Sequence, residues 1–430
     1  MHEKTTVLVT AYAVNPYKGS EDGMGWNMIL EIARYHRVIA ITRENNQAAI
    51  DRYLADFPIE YANNIQFKYF DTPYYTRFWK KGGRGALLYF YMWQFVVASW
   101  IKKQDWSYDL VHNLNFHNDW TPSFLWRTGK PLVWGPIGHH PFIPTAFLKP
   151  YGRKTWLRER IRWTAKKLFW NLDFNLRKTA DSANHVFAMN SEVQKVLSIK
   201  ESKVSILPSV ATEEVDVVPD KPKDRFSILS IGRFVALKGF DVTIRSFSKF
   251  YKTLPEESRD QVSLTLVGKG PAEPLMKAII QKNNLEKVIR IIPWIERDQL
   301  TFVYQGADLF FFPSHEGAGM VVAEAMSRGL PVLCFDNCGP GEFINANCGV
   351  AVPYDDYDKV IDRFADALGE LYKNKNRLSQ LSRGALRQYR QRFTWASKGE
   401  MFRTVYASII AEQSQKEMTH VEADHLHSSL

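Results

Sequence analysis

Short apolar runs, bounded by glycine, proline and charge, recur along the chain and read as buried strands. In the first half they are residues 5–13 (TTVLVTAYA), 38–42 (VIAIT), 65–70, 109–113 (DLVHN), 130–135 (KPLVWG), 185–189 (HVFAM) and 204–208 (VSILP). Stretches of helical character lie between strands, the first over about residues 25–35. Wholly apolar strands that alternate with helices predict a parallel sheet covered on both faces.

The pattern then breaks and restarts. Residues 211–225 (ATEEVDVVPDKPKDR) carry proline and mixed charge with no apolar period, which marks a linker. A second series follows, with strands at 226–231, 262–267 (VSLTLV), 288–292, 307–313 (ADLFFFP) and 332–335. Residues 359–392 read as paired helices. Phe393-Thr394-Trp395 interrupts them, and 396–412 reads as a last amphipathic helix. The expected organisation is an α/β chain with domains at 1–210 and 226–395, joined by the linker. The polar tail 413–430, with His420, His425 and His427, is expected to be flexible.

Composition narrows the function classes. At 430 residues, each half is long enough for its own core. The net charge of +10 allows nucleic acid, anionic lipid or a phosphorylated substrate, without choosing among them. Three cysteines, Cys334, Cys338 and Cys348, argue against a disulfide framework and for a reducing compartment. Their spacing suits zinc poorly. The N-terminus enters a strand directly, so no signal peptide is expected and a cytoplasmic location is. The longest apolar run, 86–101, is too short for a convincing membrane span.

Candidate chemistry concentrates at 314–336 (SHEGAGMVVAEAMSRGLPVLCFD). Glu316 follows a buried strand, and Gly317 and Gly319 let backbone N–H groups approach a ligand. A short helix begins at Met320. Glu324 lies on its largely apolar surface and needs a donor-rich partner, such as a sugar diol, Arg or Lys. The free N–H groups at Gly319 to Val321 and the helix dipole favour an anion. Arg233 and Lys238 flank the turn after the first strand of the same half. Ligands of parallel sheets gather beyond the carboxyl ends of the strands, so both cations are expected to face that pocket. In the first half, the loop NPYKGSEDGMGWN after the first strand suggests a backbone approach at Gly19.

The ordered set GRFVALKG, LVGKGP and ADLFFFPSHEGAGMVVAEAMSRGLPV resembles the donor-binding half of the retaining family 4 glycosyltransferases of the GT-B fold. KGSEDGMGWN and WGPIGHHP look like a subgroup associated with surface polysaccharide assembly. The resemblance implies two Rossmann-like domains facing across a cleft, with the last helix returning to the first domain. It implies a nucleotide-diphosphate sugar as donor, with UDP and GDP both open, and a saccharide or lipid-linked acceptor. Arg233 and Lys238 would hold the diphosphate, with Gly232 and Gly268 at the neighbouring strand ends. Glu324 would take the ribose hydroxyls, and Pro293 and Trp294 would lie against the base. Glu316 would contact the donor sugar, beside the backbone of Gly317, Ala318, Gly319, Met320 and Val321. Fixed cations aimed at the departing diphosphate would remove the need for a metal ion or other cofactor. Asp356 and Asp358, the one Asp-x-Asp pair, read as helix capping instead.

The family commonly places a histidine of the first domain near the donor sugar. His112, His117, His139 and His140 are the candidates; His139 is preferred because it follows a strand end, with His117 next. His117 and His140 are assigned to the acceptor side. Residues 149–178 mix ten basic residues with Trp156, Trp163, Phe169 and Trp170, which suits either an anionic membrane surface or a helix whose aromatics enter the core. Peripheral contact with the inner leaflet is the corresponding expectation, and nucleic acid is not expected. The alternatives are another GT-B enzyme, such as an epimerase or phosphorylase, or a basic RNA- or lipid-binding protein without catalysis.

Overall fold

The computed structural model describes residues 4–80, 82, 85–114, 118–212 and 225–427. His117 and most of the expected linker, 213–224, lie outside the described residues. The chain divides into two compact units. One comprises Met1–Gly138, Leu168–Ser209 and Trp395–Leu430; the other comprises His139–Lys167 and Val210–Thr394.

The first unit is built on seven strands: β1 (Thr6–Ala11), β2 (Arg37–Thr42), β3 (Ile65–Tyr69), β4 (Leu110–Leu114), β5 (Leu132–Ile137), β6 (Ala183–Ala188) and β7 (Val204–Ile206). Their order is β3-β2-β1-β4-β5-β6-β7, and every pair is parallel. The period of two along β1 shows why both faces are covered. Val7, Val9 and Ala11 enter one core with Ile29, Ile32, Phe402 and Tyr406. Leu8 enters the other with Trp93, Val97 and Leu176. The helix Ser20–Tyr35 starts earlier than expected, directly after Gly19.

His112 is part of this core. Its Nδ1 lies 2.5 Å from the Tyr406 hydroxyl and its Nε2 2.8 Å from the Gly135 carbonyl. Burial pushes its pKa down to about 3, so it stays neutral. It ties the last helix to β4, and its candidacy as a donor-facing histidine is thereby corrected. That helix runs Trp395–His427, well beyond the expected end at 412, because neither proline nor glycine follows Gly399 to stop it.

The second unit has six strands: β8 (Phe226–Ile231), β9 (Val262–Val267), β10 (Ile289–Ile292), β11 (Leu309–Phe312), β12 (Val332–Asp336) and β13 (Gly349–Pro353). The order is β10-β9-β8-β11-β12-β13, again all parallel. Asp356 caps the helix Tyr357–Lys373 through the amides of Asp358 and Lys359.

Residues 139–167 come from the N-terminal half of the sequence but belong to this second unit, where a boundary at 210 had placed them elsewhere. The reason is packing. Phe147 is buried against Phe335, Tyr354, Tyr357 and His315, with ring centroids 5.1–5.7 Å away. Tyr151 donates to Asp241 at 2.5 Å, and Tyr357 donates to the other oxygen at 2.7 Å. Two donors satisfy a carboxylate that lies wholly inside the unit.

Candidate functional site

In the second sheet, strand order reverses between β8 and β11, and the loops beyond their carboxyl ends meet there. That is where an open parallel sheet leaves a crevice for a ligand. The chain leaves β8 through Gly232, Arg233 and a tight turn, Ala236–Lys238, that ends at Gly239. It leaves β11 through Pro313, Ser314, His315 and Glu316. The two loops are stitched together. The His315 amide donates to the Leu237 carbonyl at 2.8 Å, and the Ser314 hydroxyl to the same oxygen at 3.2 Å.

This contact brings Lys238 and Glu316 together. The Lys238 ammonium lies 2.6 Å from Glu316 Oε2, with the side chains 14% and 16% exposed. The ammonium also sits 4.8 Å from the centre of the Phe312 ring. Arg233 is on the same loop and is exposed. The edge continues along the neighbouring strands. The Gly232 amide donates to the Val267 carbonyl, and the Gly268 amide to the Ile292 carbonyl. Gly268 has a φ of +145°, and a Cβ there would stand 1.9 Å from the Gly232 oxygen. Pro293 and Trp294 follow β10; the indole is 67% exposed, with Lys269 Nζ 5.7 Å from its centre.

Beyond Glu316, Gly319 is the N-cap of the helix Met320–Ser327, in an extended conformation with no side-chain cap. Its Cβ would come 3.0 Å from the Phe312 ring, so glycine lets the helix start close to β11. Glu324, one turn along, is half-buried and accepts a 2.8 Å hydrogen bond from the Tyr304 hydroxyl. Burial and the Glu324 charge push the Tyr304 pKa well above its ordinary value, so the phenol remains a donor. The expected partners of Glu324 were a ligand or a cation. Tyr304, on the helix Arg297–Gln305, carries no local motif that announces it.

The histidines sort by position. His140 Nδ1 accepts the Gly317 N–H at 3.1 Å, from an exposed position on the segment 139–167. His139 is buried, edge-on to Trp163 at 5.9 Å. His315, which carries no local motif, is fully buried, with its Nδ1 hydrogen-bonded to the Tyr354 hydroxyl at 2.8 Å. Desolvation lowers its pKa to about 3. It is a packing residue, in ring contact with Phe147, Phe335 and Tyr354. In the first unit, Gly19 caps the helix Ser20–Tyr35, and open space surrounds its Cβ position. Among the described residues, no three His, Cys, Asp or Glu side chains gather as a metal-holding group. No helix among them is long and apolar enough to cross a membrane.

Residues 211–388 match the family model described as glycosyl transferases group 1. A D-inositol 3-phosphate glycosyltransferase of Xylanimonas cellulosilytica is 32% identical over 188 residues, 43% of this chain and 43% of the relative. An O-antigen chain mannosyltransferase B of Escherichia coli is 24% identical over 213 residues, 46% of this chain and 53% of the relative. The chain thus spans about half the length of the curated relatives it matches. The crystal structure of Anabaena HepE in complex with UDP has a TM-score of 0.58 at 15% identity, covering 94% of this chain and all of that one. Residues 211–388 are therefore similar to the group 1 glycosyl transferases, and the two parallel sheets give the chain the GT-B fold of its structural neighbours.

Proposed function

We propose that the chain is a retaining glycosyltransferase that moves a sugar from a nucleotide-diphosphate donor to a saccharide or lipid-linked acceptor in surface polysaccharide assembly. The observation that carries this reading is the Lys238–Glu316 pair at the point of strand-order reversal. Without ligand, the two charges neutralise each other. An arriving diphosphate competes for the ammonium and leaves the Glu316 carboxylate to accept hydrogen bonds from donor-sugar hydroxyls. Arg233, Lys238 and the N–H groups at the start of Met320–Ser327 then face the charge that builds on the leaving diphosphate. Such fixed positive groups do the work that a metal ion does in other transferases. The acceptor attacks on the donor's own face, and a diphosphate oxygen takes its proton. Support for the pathway comes from the O-antigen relative, and support for a nucleotide donor from the UDP-bound one.

Glu324 would take the ribose hydroxyls on the oxygen that Tyr304 leaves open. A thermal-shift screen against nucleoside diphosphates and their sugars tests both assignments. The matching nucleotide, at 100 times its Kd, should stabilise the protein by about 2.7 kcal/mol. Tyr304→Phe should weaken nucleoside diphosphate binding by about tenfold and leave inorganic pyrophosphate binding unchanged. Equal loss for both ligands would remove Glu324 from the ribose, and no shift with any nucleotide would sink the donor reading.

Docking on an anionic membrane surface is the accompanying proposal. On the part of the helix Arg153–Leu172 that belongs to the second unit, Leu157 and Ile161 are 53% and 61% exposed. At 100° per residue they fall within about 40° of one another. Exposed Lys154, Arg158, Arg162 and Lys167 flank that stripe. An apolar stripe with basic margins suits an anionic lipid interface. The protein should float with anionic vesicles at low salt, and Leu157→Asp with Ile161→Asp should abolish this. Flotation that persists in the double variant would argue against the stripe.

A further inference from the structure

The loops beyond β1, β2 and β3 bring a second set of charges to the carboxyl edge of the first sheet. Arg43 is the first residue after β2; its guanidinium lies 4.2 Å from the centre of the Tyr12 ring, and its Nε donates to the Tyr12 carbonyl at 3.3 Å. Arg77, on the segment after β3, is held by two carboxylates, Asp71 at 2.9 Å and Glu44 at 3.0 Å. Asp71 also accepts from the Tyr89 hydroxyl at 2.6 Å. Lys80 Nζ lies 5.5 Å from the centre of the Tyr89 ring. The local balance is three cations, Arg43, Arg77 and Lys80, against two anions, Glu44 and Asp71, so one positive charge remains.

Burial and the two guanidiniums push the Lys80 pKa down; Asp71 partly opposes this. Crowded like charges of this kind cost stability in the free protein, and a bound oxyanion relieves them. Tyr74 and Tyr75, each 75% exposed, stand on the same segment.

We infer that Arg43, Arg77 and Lys80 form an oxyanion site on the N-terminal unit, which takes a phosphate or carboxylate carried by the acceptor. The acceptor role rests on the transferase reading above; the anion binding itself does not. The site would restrict transfer to acidic acceptors, either those with a diphosphate link or those ending in an acidic sugar.

The test uses the full chain carrying Arg233→Ala and Lys238→Ala, which removes the two cations assigned to the donor diphosphate. Inorganic pyrophosphate and glucuronate are titrated separately by calorimetry at low salt. Binding of at least one is expected to remain and to weaken by about tenfold or more on adding Lys80→Ala, the loss of one charge-assisted contact. Arg43→Gln should weaken the same ligand. Pyrophosphate dependence identifies a phosphate and glucuronate dependence a carboxylate. Absence of binding by either anion, or affinities within about twofold of each other with and without Lys80, overturns the site. Nucleotide binding to the unmodified chain is measured independently, so the donor reading and this one can fail separately. Arg77 is left intact because its removal would strand the buried Asp71 carboxylate.

Discussion

Replacing Lys238 with alanine is expected to lower kcat/KM for sugar transfer by about 10²–10³-fold, the loss typical of one donor aimed at transition-state charge. The variant has a double defect. It loses the ammonium that would face the leaving diphosphate, and it leaves the Glu316 carboxylate, only 16% exposed, without its 2.6 Å partner. An unpaired carboxylate there repels the incoming diphosphate. Lys238→Ala combined with Glu316→Gln should therefore recover part of the lost donor affinity without recovering turnover. Steady-state kinetics on the two single variants and the pair would show this as a coupling between the sites. A loss below about tenfold in Lys238→Ala, with the protein folded, would mean that the leaving group is stabilised elsewhere.

The second large effect belongs to Gly239→Ala. Gly239 has a φ of +67°, where an L side chain is strained, and a Cβ would stand 2.0 Å from the Pro313 carbonyl oxygen. That oxygen is backbone and cannot swing away. Relief requires the exit of β11 to separate from the turn after β8, and this same contact holds Lys238 against Glu316. We expect a destabilisation of about 2–4 kcal/mol together with loss of most activity. Gly129→Ala is the control: its φ is +76°, but nothing lies within 4 Å of the added Cβ. It should cost only about 1 kcal/mol. Urea midpoints of the two variants compare the strain alone with strain plus collision. Equal midpoints would show that the close approach of the two loops matters little.

Much of the fold was legible because buried parallel strands announce themselves as uninterrupted apolar runs. The runs at 226–231, 262–267 and 332–335 coincide with β8, β9 and most of β12. β13 was missed for the complementary reason. It is an edge strand in which only Gly349 and Val352 are buried, with glycine at one end and proline at the other. The charged residues of the candidate site were also legible, since Glu316, Arg233 and Lys238 all follow strand ends. Their partners were not. Tyr304 reaches Glu324 from a different helix, and His140 reaches Gly317 across 177 residues of sequence. Such contacts depend on how elements pack, and local pattern is silent about packing. His112 illustrates the opposite error. A histidine at the end of an apolar strand looks available, yet its hydrogen bonds are both taken inside the core.

The membership of residues 139–167 in the C-terminal unit bears on how this chain can be cut or recombined. A fragment begun at the linker would leave behind Phe147 and Tyr151, exposing the aromatic bed around Phe335 and depriving Asp241 of one of its two phenols. Chimeras that exchange one half with a relative must therefore transplant this excursion along with the downstream sequence. The seams then fall near 138, 167, 210 and 394, so that a single crossover in the gene cannot swap either unit whole.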